Sequence, residues 1–132
     1  MFSDADVLVV LDPGLLKIGY TRNAVVRDDG VIVVNTPSSD LVTRDKFTLE
    51  GSARVYTVNA TDIAVRNKLI VAGWPVVNTS MLGALSKALG VINVDNMASA
   101  VREYFRGKIG EVNAKAVYDA YNETVFYKEL HS

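Results

Sequence analysis

The run DVLVVLD, Asp6 to Asp12, is apolar at every position between its two acids. A strand with one solvated face alternates polar and apolar residues. A strand that carries five apolar side chains in a row sends them to both faces and needs cover on both. Such a strand belongs to a layered α/β domain with helices around its sheet. The sequence repeats the signal at VIVVN, Val31 to Asn35, at RVYTVN, Arg54 to Asn59, and in a short run, Val76 to Asn78, after Gly73-Trp74-Pro75.

Helical periods lie between and after these runs. Asp12-Pro13-Gly14 breaks the first strand, and Leu15, Leu16 and Ile18 to Val26 read as a short helix stopped by Arg27-Asp28-Asp29-Gly30. Thr61-Asp62 reads as the cap of a helix through Ile63, Val65, Lys68 and Leu69. From Ser80, residues Met81, Leu82, Leu85, Ala88 and Leu89 fall at i, i+3, i+4 spacing, with Gly90 as the stop. Val94-Asp95 starts the next helix, with Met97, Val101, Tyr104 and Phe105 on one face and Gly107 at its end. The last helix is expected from Glu111 to Glu129, with Glu111 paired to Lys115 across one turn. Pro37 to Arg54 is polar and aperiodic and reads as a surface connection containing one irregular turn. The predicted fold is a single α/β domain over residues 1–132: a three-layer αβα arrangement, mostly parallel sheet, helices on both faces, and a helical C-terminal third.

Composition narrows the chemistry. The net charge is -1 with charged residues at 22%, so neither nucleic acid nor an anionic membrane is the expected partner. No apolar run approaches the roughly 20 residues of a membrane span. The start, MFSDAD, carries acids where a signal peptide needs bases, which predicts a soluble, cytoplasmic protein. There is no cysteine, so the chain supplies no thiolate for nucleophilic attack, zinc or an iron-sulfur cluster. His131, the one histidine, is penultimate and reads as a solvated tail residue, which leaves a Ser-His-Asp arrangement without a placed base. The acids show no metal-ligand spacing, and no glycine-rich phosphate loop occurs. Metal and catalytic residues are therefore predicted to be none.

What remains are strand ends. Open α/β sheets bind ligands beyond the carboxyl ends of their strands, and two of the predicted strands end in the same letters, Val-Val-Asn-Thr. Asn35-Thr36 and Asn78-Thr79 are thus the candidate binding residues. Asn78-Thr79 reads either as a plain N-cap or as side chains and helix N–H groups presented to an anion. Asp12-Pro13-Gly14 reads either as a turn feeding a helix or as backbone N–H groups facing a ligand. Trp74 reads as a core or interface anchor, and Tyr118, Tyr121 and Tyr127 as a partner-binding strip on the last helix or as its packing face.

The order DVLVVLDPGLL, VIVVNTPSSD, VYTVNATDIA and PVVNTSMLGALSKALGVI resembles the gamma subunit, or gamma domain, of the 2-oxoacid:ferredoxin oxidoreductases, of which the pyruvate enzyme is best known. The element Asn78, Thr79, Leu82, Gly83 and Ala84, followed by Lys87 and Gly90, is the most specific part. The helix from Asp95 to Phe105, then Gly107-Lys108 and Asn113, also follows that pattern. The segment Ser38 to Ala53 matches least. Family chains begin with a Gly-x-Gly-Gly-Gln-Gly stretch that has no counterpart here, so the chain resembles the C-terminal two-thirds of such a subunit.

The resemblance implies an accessory subunit. Enzymes of the family decarboxylate a 2-oxoacid on thiamine diphosphate with Mg, pass electrons through [4Fe-4S] clusters to ferredoxin, and release the acyl group to coenzyme A. It implies that those cofactors sit in alpha, beta and delta-type partner subunits. The loops bearing Asn35, Thr36, Asn78 and Thr79 would then face a coenzyme A side or a subunit junction, with ferredoxin reached only indirectly. The competing expectation is a free-standing, non-catalytic α/β module that binds a ligand unaided. A hydrolase or transferase is weaker, because no nucleophile-base pair can be assembled.

Overall fold

The computed structural model describes residues 3–132; Met1 and Phe2, at the start of the acid-bearing MFSDAD stretch, lie outside it. Strand β1 (Ser3–Val10) lies parallel to β2 (Ala24–Asn35), which lies parallel to β4 (Ser52–Val58). Two-residue β3 (Thr48–Leu49) pairs with the start of β2. The order is β1-β2-β4-β7, with β7 (Val125–His131) antiparallel at the far edge. The sheet is therefore α/β and mostly parallel, as the alternating pattern implies.

The double cover predicted from apolar runs is seen best in β2. Val31 and Val33 pack under α2 (Ala60–Arg66), α3 (Asn78–Leu89) and α5 (Gly107–Glu123), together with Ile63, Met81, Ala84 and Ala120. Ile32 and Val34 point the other way, onto Leu16 of α1 (Gly14–Lys17), Val42, Phe47 and Leu49. Burying one such side chain contributes roughly 1.5–3 kcal/mol. The helix α4 (Val94–Phe105) packs outside α3 and α5 through Ala98 and Val101. Among the described residues no helix is long and apolar enough to cross a membrane.

Several expectations are corrected. The helix predicted over Leu15 to Val26 is only α1 followed by a single 3-10 turn, Tyr20–Asn23, and Ala24-Val25-Val26 already belong to β2. Arg27-Asp28-Asp29-Gly30 does not stop a helix; it is a bulge inside the strand. Ala5 faces Val26 while Val7 faces Val31, so four residues of β2 stand opposite Asp6 alone. The bulge is held because Asp28 accepts from the Ser52 amide at 2.9 Å and Arg27 lies 3.8 Å from both Asp4 and Asp6. Gly30 is needed for close approach: a Cβ there would sit 2.6 Å from a Val26 methyl and 2.8 Å from the Arg27 carbonyl oxygen.

The segment after Pro37 is not a plain surface connection. Two 3-10 turns, Ser39–Leu41 and Arg44–Lys46, drive the buried side chains of Val42 and Phe47 into the core. The last helix ends at Glu123, not Glu129, and Thr124 turns its hydroxyl back to the Ala120 carbonyl. The run Val-Phe-Tyr that follows is β-branched and aromatic and pairs with β4. His131 is exposed but belongs to that strand, its carbonyl accepting from Arg44 at 2.6 Å, so it is not a loose tail. Tyr127 sits on β7 and shares no helix face with Tyr118 and Tyr121. The short strand expected at Val76 to Asn78 is instead a hairpin one step earlier, β5 (Ile70–Val71) with β6 (Trp74–Pro75), and Asn78 already opens α3.

The charge pairs differ too. Glu111 bonds Arg102 of α4 at 3.3 Å, and Lys115 turns to Asp119 at 2.9 Å. Asp119 also accepts from Asn67 at 3.0 Å, tying α5 to the end of α2. Burial alone would push the Asp119 carboxyl up. Hydrogen bonds from Asn67 and Lys115, with the charges of Lys115 and Arg66, outweigh that and hold it below the ordinary carboxylate value. A depressed native pKa stabilises the fold fully above the unfolded pKa of about 4, and that contribution is lost as pH falls through the lower native value. Urea midpoints measured between about pH 5 and pH 2 should therefore fall less steeply for Asp119→Asn than for the parent.

Candidate functional site

The carboxyl ends of β1 and β2 and the starts of α2 and α3 meet at one end of the sheet. Between them lies a depression of about 420 Å³, lined in part by Leu11, Asp12, Asn35, Thr61, Trp74 and Asn78. This is where an open parallel sheet offers a ligand site.

Asn35 holds the floor together. It is 1% exposed, and both donors and its acceptor are used. Its amide nitrogen donates to the Leu11 carbonyl at 2.8 Å and to the Thr61 hydroxyl at 3.0 Å. Its oxygen accepts from the amides of Ala60 at 2.9 Å and Thr61 at 3.3 Å. One side chain thus joins the end of β1 to the first turn of α2, whose N-cap is Asn59 rather than the expected Thr61-Asp62.

Thr36 is buried, and its hydroxyl folds onto the Ser38 carbonyl at 2.8 Å, away from the depression. Thr79 is buried as well, donating to Asn113 of α5 at 2.7 Å; Asn113 in turn donates to the Ile109 carbonyl. Asn78 is the exposed one of the four and lies on the rim. Neither Asn78 nor Thr79 caps α3: the N-cap position is Val77, without a side-chain hydrogen bond, and the first turn carries no acid. The unpaired amides of that turn and the positive end of its dipole are left for solvent or a ligand.

Trp74 is 76% exposed on the hairpin, so the core half of its expected role is corrected. The chain reverses there through Ala72 and Gly73, both at positive φ, which pushes the indole outward over the depression. Asp12 accepts from the Gly14 amide at 2.8 Å, so Asp12-Pro13-Gly14 forms a closed turn entering α1. Thr61 and Leu11 were not legible as lining residues, because only the tertiary bonds of Asn35 place them. Asn113, buried in the middle of a helix, was the one polar signal that could have pointed to Thr79.

The arrangement can bind but has few means to make or break bonds. Among the described residues, no group of three or more His, Asp or Glu gathers as a metal site. With no cysteine in the chain, the donor set does not fit an iron-sulfur cluster.

Residues 1–123 match the profile of the family described as pyruvate ferredoxin/flavodoxin oxidoreductase. The chain is 38% identical over 125 residues to the pyruvate/ketoisovalerate oxidoreductases common subunit gamma of Thermococcus kodakarensis, covering 95% of this chain and 64% of that one. It is 37% identical over 118 residues to the pyruvate synthase subunit PorC of Methanothermobacter marburgensis, covering 89% and 59%. Its fold is similar to the crystal structure of the pyruvate oxidoreductase subunit PORC from Thermotoga maritima, with a TM-score of 0.76, 26% identity, and cover of 96% of this chain and 67% of that one. The chain therefore spans a little under two-thirds of the length of the curated relatives that it matches.

Proposed function

The chain belongs to the pyruvate ferredoxin/flavodoxin oxidoreductase family, and from that premise we propose that it serves as a gamma-type accessory subunit of a 2-oxoacid:ferredoxin oxidoreductase. The observation that carries this reading is the match, over nearly the whole chain, to gamma subunits and PorC chains that share its fold. The enzyme would work in the cytoplasm, oxidatively decarboxylating a 2-oxoacid such as pyruvate to an acyl-CoA. Thiamine diphosphate, Mg and [4Fe-4S] clusters would be held by alpha, beta and delta-type partners, and electrons would reach ferredoxin through those partners. This chain's own donor set supports such a division, since the sequence offers no thiolate and no group of three or more carboxylates gathers among the described residues.

Within that reading, the strand-end depression is the coenzyme A side or the subunit junction. Asn35 shapes it, Thr36 braces the loop behind it through the Ser38 carbonyl, Thr79 fixes the start of α3 against α5, and Asn78 supplies the side chain free to touch a ligand. The open first turn of α3 suits a phosphate or a carbonyl. Coenzyme A binding by the assembled enzyme is the test. Asn78→Ala removes one neutral hydrogen bond, about 1 kcal/mol, so the coenzyme A KM should rise about fivefold with kcat unchanged. An unchanged KM would leave Asn78 with no part in binding.

A further inference from the structure

A second depression, of about 410 Å³, opens between α3 and α4; it shares Asn78 with the first and adds Thr79. Its other walls are almost wholly apolar and include Leu82, Met97, Tyr104 and Phe105. Tyr104 is 82% exposed and stands edge-to-face on Phe105, with ring centroids 4.9 Å apart. Rigid aromatic rings left in solvent beside an apolar groove are what protein interfaces use as anchors.

The surroundings of the groove define its occupant. Thr79 bonds Asn113, and the chain at Gly83 abuts Val117, so α3 and α5 run parallel. Tyr118 bonds Asp95 and Arg102 pairs with Glu111, so α4 runs against them. The N-termini of α3 and α5 and the C-terminus of α4 therefore lie at the same end. Both N-termini lack a side-chain cap and an acid in the first turn. Arg106 and Lys108 follow Phe105 directly, both exposed, and neither forms an ion pair among the described residues. Glu103 and Glu111, each three residues from one of these cations, do not line the groove, and Glu111 is paired with Arg102. Arg106 sits at φ 58 and ψ 157, a backbone state that glycine occupies freely and other residues hold under strain. The junction thus keeps a cation where glycine would fit better.

We propose that this groove docks a partner subunit of the same enzyme through an apolar segment flanked by carboxylates. The apolar side chains fill the space between α3 and α4, packing on Tyr104 and Phe105. The flanking acids meet Arg106, Lys108 and the two open helix ends, where opposite charge is favoured. The inference rests on the accessory-subunit reading, and its test separates the two.

The test measures binding of the full chain to the remaining subunits of the enzyme purified together. Tyr104→Asp should weaken binding by at least about tenfold while lowering the melting temperature of the free chain only slightly, since the ring is exposed and loses only its contact with Phe105. Arg106→Gly should raise the melting temperature and yet weaken binding, with a shallower salt dependence than the parent. Val91→Asp, at an 88% exposed site beyond the far end of α3, should bind like the parent. A photo-crosslinking residue in place of Tyr104 should attach to an acid-flanked apolar stretch of another subunit. Unchanged affinity in Tyr104→Asp, an equal loss in Val91→Asp, or attachment to a second copy of this chain would overturn the docking proposal alone. So would a raised coenzyme A KM without loss of assembly. A parent chain that binds none of the subunits would overturn both readings.

Discussion

Replacing Gly83 by alanine is expected to destabilise the protein by about 3 kcal/mol, at the upper end of what overpacking costs. Alanine is the better helix former by about 1 kcal/mol, so local propensity predicts the opposite sign. Contact decides the outcome. A Cβ at Gly83 would lie 2.0 Å from the Val117 carbonyl oxygen, 2.9 Å from its carbon and 3.1 Å from the Ala120 methyl. Two of these atoms are backbone of α5, so no side chain can rotate away and the two helices must separate. That separation would also loosen Thr79 from Asn113 and Met81 and Ala84 from the sheet. Gly90→Ala is the control: no atom lies within 4 Å of the added methyl, and only the positive φ of 72° opposes it, at about 1 kcal/mol. Urea unfolding of the two variants should differ by about 2 kcal/mol in midpoint-derived stability.

The second large effect is expected at Asn35→Ala, again about 3 kcal/mol. The change strips partners from the Leu11 carbonyl and from the Ala60 amide, which is bonded in a buried setting, and each buried polar group left unpaired costs about 1–3 kcal/mol. Thr61→Ala removes only the hydroxyl that Asn35 donates to, and should cost about 1 kcal/mol. A loss several-fold larger at Asn35 than at Thr61, read from thermal or urea unfolding, would show that the floor of the depression is tied by this one amide. Equal small losses would mean that water replaces it readily.

The parts of the fold legible in the sequence are those where one local rule decides. The run Val31 to Val34 can only be a strand covered on both faces, and Met81 to Leu89 with Gly90 can only be a stopped helix. Illegibility came where tertiary pairing overrode local chemistry. Asp28-Asp29-Gly30 has the composition of a turn, yet the Asp28 bond to Ser52 and the packing of Gly30 on Asp6 keep it within β2. Val117, Tyr121 and Val125 continue a helical period, but pairing with β4 captures the chain from Val125 onward. Polar residues at strand ends were legible as important and not legible in kind. Asn35 and Asn78 occupy similar sequence positions, and only the fold places the first inside four hydrogen bonds and the second on the rim.

The most direct test is add-back. The other subunits of the enzyme, purified without this chain, should show little 2-oxoacid-dependent reduction of ferredoxin with coenzyme A, and the purified chain none. Stoichiometric addition of the chain should restore activity together with a complex containing it. Turnover by the chain alone, or full activity of the others without it, would contradict the account.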